Sequence, residues 1–379
     1  MRLGTRRRPS ALDLLLAFAV AGALLTFWTV ESTGSRGASP RAVESVAPSP
    51  RVVVPRRGAN DFQAGASILV YGNDAAIAAK AGRVLDQLAA DQVNSVSLVI
   101  PFTQSSLTAS AVDESDALAP GDARIASIVR EAHARGIAVM LQPVLDERQL
   151  RTELGEWRGS IKPADRAGWF ASYGRLLQRY AHVASDEGIE VLDVGTELTS
   201  LEEDPHWADL VPAVREAYSG QVAYSLNWDS VRRPPSAVLR HVDLIGIDAY
   251  FPLDAPDDAD TSALLTAWRA WVPTLEAFRA KAGGKPLVFT EVGIASQVGA
   301  FRRPWRWNHG TPVDLAAQER YYDASCRVAR ELKLRGLYWW SLPLDLPRDP
   351  QTDPTYAPLE KPAEAAIVRC FGTRGALGQ

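Results

Sequence analysis

Two glutamates that lie far apart in the sequence have the residue type and setting for acid–base and nucleophilic chemistry. Glu197 stands in Gly195-Thr196-Glu197-Leu198, and Glu291 stands in Thr290-Glu291-Val292-Gly293. Each ends a short apolar, β-branched run and precedes loop residues and then a helical pattern. Two opposed carboxylates at strand ends can cleave a glycosidic bond, and a separation of about 5–5.5 Å is typical of enzymes that retain the anomeric configuration. The hypothesis requires a fold that brings both strand ends together.

From about residue 66, short β-rich segments alternate with longer helical ones. Strands are predicted at 67–71, 95–101, 138–142, 190–196, 222–227, 244–249, 287–290 and 337–341. Helices are predicted at 75–90, 124–135, 165–186, 207–218, 263–282, 316–334 and 363–370, with only a short link between the fifth and sixth strands.

Eight strand–helix units predict an α/β fold of the (β/α)8 TIM-barrel type, whose active sites lie at the carboxyl ends of the strands. Several strands, such as 242–247, are nearly continuous apolar runs, as expected when both faces of a parallel sheet are covered. A doubly wound open sheet is the alternative. It would place a glycine-rich phosphate turn after the first strand, and Tyr71-Gly72-Asn73-Asp74 is not one.

The first sixty residues differ from the rest. Arg2 and the arginines at 6–8 precede an uncharged stretch from Leu14 to Val30. We predict a cytoplasmic basic tip and a membrane anchor over residues 1–30, a flexible linker over 31–62 and the barrel over 63–373. The barrel would then lie outside the cytoplasm, in a periplasm or at a cell surface. A cleaved secretory signal is the alternative, although its apolar core is usually only about 7–15 residues long.

Composition excludes several function classes. Beyond residue 60 the chain carries 32 basic and 42 acidic residues, which argues against a nucleic-acid partner. The five histidines show no HxH or HExxH spacing, and P-loop, GxSxG and dinucleotide fingerprints are absent from the sequence. We therefore expect a monomeric protein that needs no cofactor.

Cys326 and Cys370 are expected either to form one disulfide or to remain two buried thiols.

Aromatic and acidic residues cluster at the predicted strand ends. Tryptophan outnumbers tyrosine and phenylalanine, 11 against 10 and 10, and the Trp339-Trp340 pair offers a flat apolar face to a sugar ring. Because neighbouring residues of a strand point in opposite directions, only one of the two is expected to face a pocket. Tyr250 is placed to donate a hydrogen bond to Glu291. Asp193 and Asp248 are interpreted as structural acids deeper in the barrel.

Together these motifs resemble glycoside hydrolase family 113, over about residues 65–345. That family belongs to a large clan of retaining (β/α)8 glycosidases, and its characterised members are β-1,4-mannanases. The resemblance rests on the order and spacing of five segments: 195–198, 227–229, 247–252, 290–293 and 338–342.

The resemblance implies that Glu197 is the acid/base and Glu291 the nucleophile, with Glu291 ionised at rest and the pKa of Glu197 raised. Tyr250 would orient the nucleophile, and Trp340 would form the floor of the subsite where cleavage occurs. The remaining implied sugar contacts are Asp146, Arg158, Trp228 and Asp229.

The sequence departs from the wider clan at two positions. Thr196 replaces an asparagine that binds the sugar 2-hydroxyl, which makes Asn227 a candidate for that contact. Gln142 stands where a more basic residue is expected. The resemblance implies a retaining hydrolase of β-linked polysaccharide, of the β-1,4-mannan type. A polysaccharide-binding barrel without hydrolysis, and a glycosidase or transglycosidase acting on the cell's own exopolysaccharide, are the alternatives.

Overall fold

Eight parallel strands close into a barrel in chain order. The computed structural model describes residues 61–113, 118–148, 150 and 155–372, so the predicted anchor and nearly all of the predicted linker lie outside the described residues. Each strand pairs in parallel with the next along the chain, and the last pairs with the first. The TIM-barrel prediction is thereby confirmed. The strands are β1 Gln63–Leu69, β2 Ser95–Phe102, β3 Ala138–Leu145, β4 Val191–Thr196, β5 Gln221–Asn227, β6 Leu244–Asp248, β7 Leu287–Val292 and β8 Gly336–Pro343.

The helices lie outside the strands and cover them with apolar faces. In the first helix Ile77, Ala81, Val84, Leu85 and Leu88 are buried, which is the spacing of a single helical stripe. The described α-helices are α1 Ile77–Ala90, α2 Asp122–Ala134, α3 Arg166–Glu187, α4 Trp207–Ala217, α5 Thr261–Arg269, α6 Val272–Lys281, α7 Leu315–Glu331 and α8 Pro362–Gly372. None of these helices has both the length and the apolar character needed to cross a membrane.

Several predicted boundaries differ from the observed ones by a few residues, and two of these differences have a clear physical cause. The single helix expected over 263–282 is two helices, because Pro273 lies in the first turn of α6 and lacks the N–H that would continue α5. β1 begins at Gln63, four residues before the predicted start, since Gln63 and Ala64 pair with the beginning of β8. The Gln63 side chain accepts a hydrogen bond from the Tyr338 hydroxyl at 2.8 Å, which extends this pairing into the barrel.

The barrel interior changes from apolar to polar towards the site. A lower layer contains Met140, Val191, Ala223, Leu244, Val288 and Tyr338. Two residues further along β3, β4 and β5, on the same face, come Gln142, Asp193 and Ser225, all fully buried. Buried polar side chains need hydrogen-bond partners inside the protein. The hydrogen bonds of this layer fix the orientation of the side chains that lie directly beneath the mouth of the barrel.

A disulfide joins Cys326 of α7 to Cys370 of α8, with a Cα–Cα distance of 5.8 Å. It resolves the choice that the sequence left open between a disulfide and two thiols. The bond closes a loop with a sequence separation of 44. In the chain-entropy description such a loop stabilises the fold by about 4 kcal/mol. It ties the last helix to the helix that follows β7, the strand that carries Glu291.

Candidate active site

A cavity of about 410 Å³ opens at the carboxyl ends of the strands. Glu197, at the end of β4, and Glu291, in β7, both line it. We call these two residues the carboxyl pair. The rest of the lining comes from the segments after β3, β5, β6, β7 and β8: Glu147, Gly155, Glu156, Trp157, Arg158, Asn227, Trp228, Tyr250, Trp305, Trp307, Trp340 and Tyr356.

Local irregularities occur in both strands that carry the carboxyl pair. The β4–β5 register shifts between Asp193 and Thr196. Regular alternation from Asp193 already places Glu197 on the interior face, and the irregularity turns the adjacent Thr196 to that face as well, where its hydroxyl lies 3.4 Å from the Gln142 amide. Glu197 has a φ of 55°, and its N–H donates to the Ser225 carbonyl at 2.8 Å. A non-glycine residue in this left-handed region costs about 1–3 kcal/mol, and such residues are concentrated at functional sites.

β7 departs from alternation in the same way, with a register shift against β8 between Phe289 and Val292. Thr290 donates to Asp248 at 2.8 Å, while the adjacent Glu291 accepts from Tyr250. Two neighbouring side chains therefore both reach interior partners. Thr290 supports the barrel interior through its hydrogen bond to Asp248, and Glu291 faces the cavity.

Neutral donors hold Glu291. The Tyr250 hydroxyl donates to its Oε2 at 2.6 Å, as the sequence analysis expected. The Gln142 amide lies 3.4 Å from Oε1 and 3.4 Å from the Thr196 hydroxyl. Ser97 donates to the Gln142 carbonyl at 2.6 Å and so orients its amide. Gln142 thus supplies a neutral donor where a basic residue was expected.

A guanidinium holds Glu197. Arg158 Nη1 donates to Glu197 Oε2 at 2.8 Å, and its Nε donates to the Leu145 carbonyl at 2.9 Å. Glu147 contacts the same guanidinium, with its Oε1 3.5 Å from Arg158 Nε. Burial alone would lower the pKa of Arg158, but Glu147 and then Glu197 raise it, so the guanidinium remains charged.

Burial and mutual repulsion raise the pKa values of the carboxyl pair. Burial, followed by the charge of Glu197, raises the pKa of Glu291 to about 8. Burial also raises the pKa of Glu197, and the charge of Arg158 opposes that rise. A contacting cation favours an ionised carboxyl more strongly than neutral donors do. The two carboxyls therefore differ in their electrostatic surroundings, and the ionised resting state expected for Glu291 stays a prediction.

Asp193 and Asp248 lie beneath the cavity, fully buried, as their sequence positions indicated. Ser225 and the Gly195 N–H donate to Asp193, whose pKa burial raises to about 7. Burial, and then the charges of Glu291 and Glu197, raise the pKa of Asp248 well above its usual value. Within the described ranges no group of three or more His, Cys, Asp or Glu side chains is placed to hold a metal ion.

Seven of the nine site residues predicted from the sequence line the cavity: Arg158, Glu197, Asn227, Trp228, Tyr250, Glu291 and Trp340. Trp339 instead packs in the core, stacked on Tyr322 with ring centroids 4.1 Å apart. Asp146 and Asp229 are not part of the lining. Asp146 turns back to Arg148 at 2.9 Å, and Asp229 accepts from the Asn227 amide at 2.7 Å.

Sequence reasoning missed other lining residues. Glu147 and Glu156 come from the segment after β3, whose course no strand or helix pattern predicts; Trp157 of the same segment, which the family resemblance implied as a sugar contact beside Arg158, also lines the cavity. Trp305 and Trp307 come from the segment between β7 and α7. The signal available for them was two tryptophans spaced by one residue in a stretch rich in Arg and Pro.

Replacing Arg158 by Gln is expected to raise the pKa of Glu197, because the contacting positive charge is lost while the burial remains. The measurement is a pH titration of glutamate carboxyl carbons by NMR, with the Glu197 signal assigned from a Glu197→Gln protein. Arg148→Gln is the matched control, since Arg148 pairs with Asp146 outside the cavity lining. An unchanged or lower pKa in Arg158→Gln would contradict this description of the site.

Comparisons with known proteins show the family to which the chain belongs. Among solved structures, a family 113 β-mannanase from Alicyclobacillus acidocaldarius is 29% identical with a TM-score of 0.73, covering 83% of this chain and 98% of its own. A second family 113 β-1,4-mannanase is 20% identical, with a TM-score of 0.71 and coverage of 83% and 99%. A search of curated proteins found no match. The model of Glycoside Hydrolase Family 113 matches residues 73–361, and the chain therefore belongs to that family of glycosidases.

Proposed function

We propose that this glycosidase hydrolyses β-1,4-linked mannan with retention of the anomeric configuration. Glu291 is the nucleophile and Glu197 the acid/base. The observation that carries the proposal is that two buried carboxyls line one cavity with different partners, neutral donors for Glu291 and a guanidinium for Glu197. The β-mannanase activity named for the family 113 structure that is 29% identical supports the choice of substrate.

The reaction would proceed in two displacements. Glu291 attacks the anomeric carbon while Glu197 gives its proton to the departing oxygen, which leaves a glycosyl–Glu291 ester. Glu197, now a carboxylate, then takes a proton from water. The water oxygen attacks the anomeric carbon and releases Glu291. The Tyr250 hydroxyl, 2.6 Å from Glu291, orients the carboxylate for attack.

The first displacement requires a proton on Glu197. The departing oxygen has to approach Glu197 where Arg158 now contacts it. Glu147, already 3.5 Å from the guanidinium, offers Arg158 a second partner. Loss of the contact with Arg158 raises the pKa of Glu197, and ionisation of Glu291 raises it further. Substrate binding would thus place the proton where the first step needs it.

The lining suits a neutral sugar. Trp228, Trp340 and Tyr356 provide apolar faces, while Glu147 and Glu156 add negative charge at the polar wall. Anionic polysaccharides would be repelled there, with Arg158 already engaged by two carboxylates. The amide nitrogen of Asn227 bonds to Asp229. Its carbonyl oxygen would accept from a sugar hydroxyl, the contact that the sequence analysis assigned to this residue.

Glu291→Ala is expected to lower turnover of β-1,4-mannan by several orders of magnitude, because no covalent intermediate can form. In Glu197→Ala, azide should restore turnover of an aryl β-mannobioside, whose leaving group needs no acid, and the product should be the β-mannobiosyl azide. The exposed Glu203, in the same segment after β4, provides a control as Glu203→Ala, which should keep wild-type rates. Wild-type rates in Glu291→Ala would contradict the proposal. Release of fragments only from the cell's own exopolysaccharide would instead favour that polysaccharide as the substrate.

We further propose that residues 1–30 anchor the protein in a membrane, with the barrel outside the cytoplasm. The support is the uncharged stretch Leu14–Val30 after the basic tip. In the host cell the full chain should sediment with membranes after alkaline carbonate washing, and a chain beginning at residue 60 should be soluble. Protease added to cells with permeabilised outer layers should degrade the barrel. Recovery of the full chain in the soluble fraction would overturn the anchor.

A further inference from the structure

A lysine places its charged group in the interior, next to the segment that follows β8. Lys361 directly precedes α8, and its side chain has no exposed surface. Its ammonium lies 2.6 Å from the carboxylate of Asp353, whose side chain is 8% exposed. Burial lowers the pKa of Lys361, and the hydrogen bond and charge of Asp353 oppose that fall. The two residues therefore form a buried ion pair.

Three features of this position act against stability. A buried ion pair loses the hydration of both charges, and its replacement by apolar residues is often neutral or stabilising. The Lys361 carbonyl accepts from the Glu364 N–H at 3.0 Å, so the cation also stands at the positive end of the α8 dipole. Glu360, immediately before it, has a φ of 62°. Residues that break local rules in this way are expected at functional or strained sites.

The ammonium joins the segment after β7 to the segment after β8. Lys361 Nζ donates to the Ser296 hydroxyl and to the Thr355 carbonyl, both at 3.0 Å. The Ser296 N–H donates to the same Thr355 carbonyl at 3.2 Å. Both segments lie beyond the paired parts of their strands, so these hydrogen bonds fix their relative position where the sheet no longer does.

Gln318 of α7 extends the connection on both sides. Its carbonyl accepts from the Ser296 hydroxyl at 2.8 Å. Its amide donates to the carbonyls of Ile294 and Tyr356, both at 2.9 Å. Ile294 lies in the chain segment that leaves Glu291, and Tyr356 lines the cavity. The buried ion pair is thus linked through short hydrogen bonds to the wall of the active site.

Tyr356 connects this network to a third part of the wall. Its hydroxyl donates to the carbonyls of Pro304 and Arg306. Those residues flank Trp305, which also lines the cavity. A wall held in place before a substrate arrives loses little conformational entropy on binding.

The nucleophile is held by other elements. Glu291 receives its hydrogen bonds from Tyr250, which follows β6, and from Gln142 of β3. Loss of the ion pair would therefore disturb the wall and leave the immediate partners of Glu291 in place. Such a change weakens binding of the substrate more than it slows the chemical steps.

We propose that Lys361 is a positioning residue, whose ion pair with Asp353 holds the segments after β7 and β8 in the geometry that binds the substrate. This inference rests on the proposed function, which supplies the substrate. Neither residue lines the cavity, so both act through the backbone of Thr355 and Tyr356 and do not contact the sugar.

The test compares Lys361→Met with the double variant Lys361→Met/Asp353→Leu in the full-length protein. Lys361→Met leaves the Asp353 carboxylate buried without its partner and should lower the melting temperature. The double variant removes both charges and should recover most of that loss. Its KM for β-1,4-mannan should nevertheless stay raised about tenfold, with kcat within about twofold of wild type, because the hydrogen bonds to Ser296 and Thr355 are missing.

Lys285→Met is the matched control. Lys285 Nζ also holds backbone carbonyls, those of Leu239, Arg240 and Val242, but it precedes β7 and so lies at the opposite end of the barrel. The control should lower the melting temperature and leave KM unchanged. Recovery of both the melting temperature and KM in the double variant would show that the pair serves the fold alone. That result would overturn the positioning function and leave the proposed function standing.

A measurement without substrate separates the two proposals. In protein with 13C-labelled tyrosine, the ring signals of Tyr356, assigned from Tyr356→Phe, should move in both Lys361 variants and not in Lys285→Met. If wild type hydrolyses no β-1,4-mannan while these signals move, the proposed function fails and the positioning of the wall stands. If the signals keep their wild-type positions in both Lys361 variants, the positioning function fails whatever the substrate.

Discussion

The repulsion and desolvation of two carboxyl groups buried in one cavity constrain the whole site. Neither Glu197 nor Glu291 can be ionised cheaply there, and both cannot be ionised together without a compensating charge. Arg158 is the one Arg or Lys that lines the cavity among the described residues, and it contacts Glu197. The guanidinium at Glu197 and the neutral donors at Glu291 leave the two carboxyls chemically different, which a hydrolase with separate nucleophile and acid requires.

Barrel closure provides the geometry that this electrostatic arrangement needs. Parallel strands bring all carboxyl ends to one rim, so residues 94 positions apart in sequence line a single cavity. Closure alone does not aim the side chains, because strict alternation would direct neighbouring residues to opposite faces. The register shift in β7 turns Glu291 towards the cavity beside the interior Thr290, and the hydrogen bond from the Glu197 N–H to Ser225 holds the left-handed backbone after β4.

The sequence predicts the parts of this structure that follow from periodicity. All eight strands, the barrel and the separation of Trp340 from Trp339 follow from alternation and apolar runs, while the Tyr250–Glu291 contact was expected from the positions of both residues at strand ends. Pro273 itself was a recognisable signal for the break between α5 and α6, and the helix prediction did not use it. Arg158's engagement with Glu197, and the positions of Trp305 and Trp307, depend on loops without a period, so propensity rules do not reach them. The directions of the pKa shifts of the carboxyl pair depend on burial and distances, which only coordinates supply.

The central claim is that Glu291 forms a covalent intermediate and Glu197 serves first as acid and then as base. The most direct measurement is the anomeric configuration of the newly formed reducing end, followed by proton NMR during the first minutes of mannohexaose hydrolysis. The account predicts that the β-anomer appears first and the α-anomer grows in only by mutarotation. Initial appearance of the α-anomer would show inversion and contradict the assignment of Glu291 as nucleophile.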